Sequence, residues 1–73
     1  MATRKELMAT LRGIWNIIDI CMFEHNNMLI RLQDYAPPDI LLTDEDEEMI
    51  LNVMRCLYFT VEKREDNFIV ISW

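Results

Sequence analysis

The chain has 73 residues, 52% of them hydrophobic, and a formal net charge of −6. That length makes one small domain, 1–73, with a thin interior, because a fold of this size buries only about 60% of the surface of its unfolded chain. The acidity excludes ordinary nucleic-acid binding, in which Lys and Arg displace counterions from phosphates.

The first element is a helix. Leu7, Leu11, Ile14, Ile18 and Cys21 follow the four-three spacing of one helical face, and Met8, Trp15 and Met22 recur every seven residues beside them. Thr3 is its cap, with Glu6 completing a capping box. The stripe runs on through His25, Met28 and Leu32, which predicts one helix over about 4–33, about 45 Å long at 1.5 Å per residue. His25-Asn26-Asn27 is the alternative break, since Asn favours turns. Ile17, Ile20 and Phe23 lie off the stripe, so between Ile14 and Phe23 only Asn16 and Asp19 are polar. A helix apolar nearly all round is covered on several sides, and this chain offers little material to cover it. Gly13 within the helix either admits a close neighbour or is simply tolerated.

Tyr35-Ala36-Pro37-Pro38-Asp39 ends the segment and opens a Pro-containing connection over 35–42. Thr43 then caps a shorter helix over about 44–56 that begins Asp44-Glu45-Asp46-Glu47-Glu48, with Ile50, Val53, Met54 and Leu57 as its apolar face. From Leu57 the period becomes two, Arg64-Glu65-Asp66-Asn67 supplies a turn, and Phe68–Trp73 completes a hairpin over about 57–73. A hairpin is marginal alone and must pack on the helices. The fold class expected is α+β: a long N-terminal helix, a second shorter helix and a C-terminal hairpin packed on both.

Catalysis is poorly provisioned. His25 is the one histidine and Ser72 the one serine, near opposite ends of the chain and without a motif for nucleophile or base. His25 reads as a core or interface imidazole. A single glycine cannot build a phosphate-cradling loop, and His25 with Cys21 has no metal-ligand spacing. The expectation is no enzyme, no cofactor and no metal. Cys21 and Cys56 fall in apolar stretches and read as buried reduced thiols of a cytoplasmic protein. The apolar run Ile14–Phe23 is too short for a membrane span, and no signal peptide is evident.

What remains is a surplus of large apolar side chains, which predicts a surface reserved for a partner. Residues 1–34 balance in charge, and from 35 onward Arg55, Lys63 and Arg64 face nine acids, so the expected partner is a larger protein with a basic and apolar surface. No direct nucleic-acid or membrane contact is expected. The predicted contact residues are Ile17, Ile20 and Phe23 on the first helix, the acidic run Asp44, Glu45, Asp46, Glu47 and Glu48, and Trp73. The acids also suit the positive end of their own helix dipole. One edge of the hairpin offers a further mode, the addition of a partner's strand, and Trp73, Tyr58 and Phe68 either anchor a partner or cover the helices.

In size, acidity, methionine content and lack of catalytic residues the chain resembles small phage-encoded regulators that bind host RNA polymerase; anti-defence inhibitors share that profile. The likeness is one of overall character and carries no residue role. It implies a protein of the host cytoplasm that binds bacterial RNA polymerase and blocks promoter engagement or displaces an initiation factor. The alternative is a structural homodimer or obligate subunit in which the first helix pairs with another helix.

Overall fold

The computed structural model describes residues 2–73. In chain order it contains α1 (Arg4–Cys21), β1 (Asn27–Arg31), a 3-10 turn (Leu32–Tyr35), α2 (Asp44–Cys56), β2 (Thr60–Lys63), a second 3-10 turn (Glu65–Asn67) and β3 (Phe68–Ser72). The fold is α+β, with a long N-terminal helix, a shorter second helix and a C-terminal hairpin. The hairpin belongs to a three-stranded antiparallel sheet of order β1-β3-β2.

Both helices start with reciprocal caps. Thr3 Oγ1 accepts the Glu6 N–H at 3.2 Å, and the Glu6 carboxylate accepts the Thr3 N–H at 2.7 Å. In α2, Thr43 Oγ1 accepts the Asp46 N–H at 3.1 Å, and Asp46 Oδ2 accepts the Thr43 N–H at 3.0 Å. The same Asp46 oxygen also accepts the Ala2 N–H at 3.1 Å. One carboxylate therefore ties the entry to α1 to the start of α2.

The first helix ends at Cys21 rather than near residue 33. The chain turns through Met22–Asn26, where the Glu24 and His25 N–H groups donate to the Cys21 carbonyl at 3.1 and 2.9 Å, and returns as a strand. Met28 and Leu32 stand four apart, which imitates a helix. Yet Met28 and Ile30 are the covered positions of β1, and Asn27, Leu29 and Arg31 are exposed. That is the alternation of a half-buried strand. Pairing with β3, from Asn27↔Ser72 to Arg31↔Phe68, satisfies a row of backbone groups and covers the apolar β3, so tertiary pairing overrides the local helical pattern.

The hairpin also starts later than residue 57. Leu57 closes α2, Tyr58 takes a left-handed conformation at φ 70°, and the Phe59 N–H donates to the Met54 carbonyl at 3.1 Å. This is a Schellman ending with tyrosine in the place glycine usually takes. β2 then runs antiparallel to β3 from Thr60↔Ser72 to Lys63↔Ile69.

Ile14 and Ile18 of α1, Ile50, Leu51 and Met54 of α2, Ile30, Ile69 and Ile71 of the sheet, and Leu32 form one core. The buried face of α2 is Asp46, Ile50, Leu51 and Met54, so the predicted face is corrected: Val53 and Leu57 are exposed and Leu51 replaces them. Tyr35 packs over Gly13, where an added Cβ would stand 3.4 Å from the Tyr35 ring. The Pro-containing connection is pinned by Gln33, whose side chain donates to the Ile40 carbonyl at 2.6 Å and accepts the Leu42 N–H at 2.8 Å.

Candidate interaction surface

Capping fixes where each helix starts, and the core claims one face of it, which decides what is left outside. On α1, Met8 and Trp15 remain exposed; on α2, Met49, Val53 and Leu57 do. These positions meet across the two helices. One apolar hollow of about 300 Å³ is lined by Met8, Leu11, Arg12, Trp15, Val53 and Leu57, and a second of about 220 Å³ by residues that include Arg4, Met8, Met49 and Val53. The groove walls are apolar, with Arg4 and Arg12 at the rim.

The apolar surface continues past the groove. Trp15 meets Phe59 edge-to-face at 5.4 Å between ring centroids, and Phe59 meets Trp73 in the same way at 6.4 Å. The Trp73 indole N–H reaches the Met22 carbonyl at 3.5 Å. Next to Met22, Phe23 is 93% exposed, and Ile20 on the last turn of α1 is 73% exposed. Trp15, Phe59 and Trp73 thus carry partly exposed aromatic surface from the helix pair towards Met22 and Phe23 at the end of α1, while Ile20, five residues on from Trp15, lies on a different face of the helix. Fully covering one Val, Leu or Met contributes roughly 1.5–3 kcal/mol, whereas an exposed ion pair contributes about 0–1 kcal/mol. Apolar contact therefore dominates what this surface can do.

The predicted contact residues divide. Ile20 and Phe23 stand in the open, and Ile17 is half-buried. Trp73 is half-buried, packed against the core with part of its ring left at the surface beside Phe59. Asp46 is withdrawn from any contact role: it is buried, its Oδ2 accepts the Thr43 and Ala2 N–H groups, and its Oδ1 is enclosed without a hydrogen-bond partner. Those two N–H groups hold its carboxyl below the usual carboxylate range. Glu48 is occupied as well, 3.1 Å from Arg55 and 3.0 Å from Lys63. Its hydrogen bonds, first to Lys63 and then to Arg55, lower its pKa. Glu47 is partly covered, and burial followed by the neighbouring Asp44 pushes its pKa up. Asp44 and Glu45 remain exposed. The acidic run is thus smaller as a docking patch than its composition suggests, because one member caps a helix and another ties α2 to β2.

Other expectations change too. Cys56 is exposed and Cys21 only half-buried, both as free thiols. His25 is exposed in the turn after α1 and is no part of the core. Among the described residues no cluster of His, Cys, Asp and Glu comes together that could hold a metal ion, and no helix is long and apolar enough to cross a membrane.

Sequence reasoning missed Met49, Val53 and Leu57 as surface residues. The signal was present: Met49, Val53 and Leu57 follow an i, i+4, i+8 series that α2 cannot bury together with Ile50, Leu51 and Met54. It missed Leu29 because it read that segment as helix. No protein-family model, curated protein or solved structure matches the chain.

Proposed function

We propose that this chain is a non-enzymatic regulator that acts by binding a larger protein through the apolar band across α1 and α2, with bacterial RNA polymerase as the partner to test first. The observation that carries the reading is the continuity of Met8, Trp15, Met49, Val53 and Leu57 across two helices, at positions the fold has no use for. Large exposed apolar patches rimmed by polar groups mark interaction sites, and aromatic side chains are the residue types most enriched at binding hot spots. Arg4 and Arg12 put positive charge on the α1 side of the groove, and the exposed Glu45 lies one helical turn before Met49 on α2, so charges of both signs are available for orienting a partner. The choice of RNA polymerase rests on the resemblance in size and composition alone.

The test is surface binding of purified bacterial RNA polymerase, as core enzyme and as holoenzyme, to the wild-type chain and to Val53→Asp, Phe23→Asp and Glu45→Lys variants. The expected result is saturable binding that Val53→Asp and Phe23→Asp reduce at least tenfold while their circular dichroism stays native. Glu45→Lys should slow association and weaken its dependence on salt. Binding that is absent, or that ignores both apolar substitutions, rules this partner or this surface out.

A further inference from the structure

The sheet has two open edges, and they differ. The Trp73 N–H donates to the Asn26 carbonyl at 3.0 Å, one step beyond the Asn27↔Ser72 pair. Because hydrogen-bonded and non-hydrogen-bonded pairs alternate along an antiparallel ladder, Met28 and Ile30 are the β1 residues whose backbone groups face β3. The Arg64 N–H, which donates to the Phe68 carbonyl at 2.8 Å, sets the matching phase on the β2 side. The N–H and C=O groups of Asn27 and Leu29 and the N–H of Arg31 therefore point away from the sheet, while the Arg31 carbonyl is engaged by the 3-10 turn Leu32–Tyr35 that it opens.

Protein edges are normally guarded by lysine, proline, bulges or short length. β2 meets that description: it is four residues long and runs into Glu62-Lys63-Arg64. β1 does not. Its sequence is Asn-Met-Leu-Ile-Arg, without proline, lysine or an acidic residue, and Leu29 at its centre is 57% exposed.

We infer that β1 pairs with β1 of a second copy of this chain, antiparallel about a two-fold axis at Leu29, to give a continuous six-stranded sheet. The open backbone groups dictate the register. Leu29 lies opposite Leu29 of the other copy, the two exchanging both their N–H···O bonds, and Asn27 lies opposite Arg31, whose N–H donates to the Asn27 carbonyl. On the other face Met28 lies opposite Ile30. Every cross-strand neighbour in this register is apolar against apolar or amide against guanidinium, and no like charges meet, which is the condition that makes cross-strand pairs favourable. Arg31 is already held on the outer face, its guanidinium 4.3 Å from the centre of the Phe68 ring. A two-fold interface of this kind is self-complementary by construction. One five-residue strand is a small contact, so the association belongs to the weak, concentration-dependent class. It uses the edge of the sheet and leaves the helical groove free, so it does not depend on the protein-binding reading above.

The experiment is sedimentation equilibrium of the full chain over a wide concentration range, with amide hydrogen exchange on the same samples. The expected result is an average mass that climbs towards twice that of one chain, with protection of the Leu29 and Arg31 amides rising in step. Leu29→Lys, a change at an exposed position, should keep the native circular dichroism and stay monomeric. Leu29→Glu should behave likewise, and an equimolar mixture of the two should recover the doubled mass, because opposite charges then meet across the axis. A wild-type chain that remains monomeric at every concentration overturns the pairing and leaves the edge to a strand of some other protein. A dimer that survives Leu29→Lys but dissolves in Val53→Asp also overturns it, since association then runs through the helices.

Discussion

The inner and outer faces of the same two helices are built from nearly the same residue types and have opposite fates. Ile18 is 2% exposed and Ile20, two positions on, is 73% exposed; Met54 is buried and Met49 is not. Hydrophobicity alone does not separate them. What separates them is the rotation of each helix against the sheet and the helix it packs on. In a chain this short the inner positions use up the area the sheet provides, and the rest face outward. An apolar side chain in this protein is therefore a core residue or a candidate contact residue according to where one short sheet stops.

The widest test of that contrast is a matched pair on α2. Leu51→Ala removes a wholly enclosed side chain and should cost about 3 kcal/mol, a large share of the stability of a small domain. Val53→Asp alters an exposed position and should stay within about 1 kcal/mol of wild type. Urea unfolding followed by circular dichroism measures both, and equal losses would erase the distinction between the faces.

The caps come next in size. Thr43→Ala should cost about 1 kcal/mol by removing the cap of α2, and Thr3→Ala less, because the Thr3 box is exposed and carries no tie to a second helix. The same contrast predicts an acid limb. The Asp46 pKa is lowered in the fold, so its contribution is present above the ordinary carboxylate range and is lost as pH falls through the folded value. Glu48 acts in the same sense. Glu47 opposes them, because its raised pKa favours the folded state when it is protonated. Stability measured against pH should therefore fall on the acid side, and Asp46→Asn should flatten that fall.

The smallest expected effect is a gain. Gly13→Ala places a methyl group in ordinary contact with Tyr35 and removes backbone freedom from the unfolded chain, so it should stabilise by up to about 1 kcal/mol. A loss of stability would mean that α1 and the turn after β1 are packed more tightly than a 3.4 Å contact allows.

The starts of both helices were legible in the residues, because a cap is local chemistry: Thr3 with Glu6, and Thr43 with Asp46, satisfy N–H groups a few positions away. The hairpin was legible for the same reason, its turn and alternation lying within one short stretch. Phe23 and Ile20 could be singled out as surplus because they fall off the repeating stripe. The end of α1 could not be read. Met28, Ile30 and Leu32 fit a helix and a strand equally well, and only β3, about forty residues away in the chain, decides between them. The acids at the start of α2 were misjudged for a related reason: composition makes them one patch, and distant groups on Ala2 and Lys63 split it.

What the sequence determined by itself is therefore the two capped helix starts, the C-terminal hairpin and the scarcity of reactive groups, since each depends on neighbours within a turn or two. The tertiary structure alone decided which apolar side chains are enclosed, which carboxylates are occupied and which strand is left with an open edge. Those outcomes depend on how much area a three-stranded sheet presents to two helices, a quantity that exists only once segments far apart in the chain have come together.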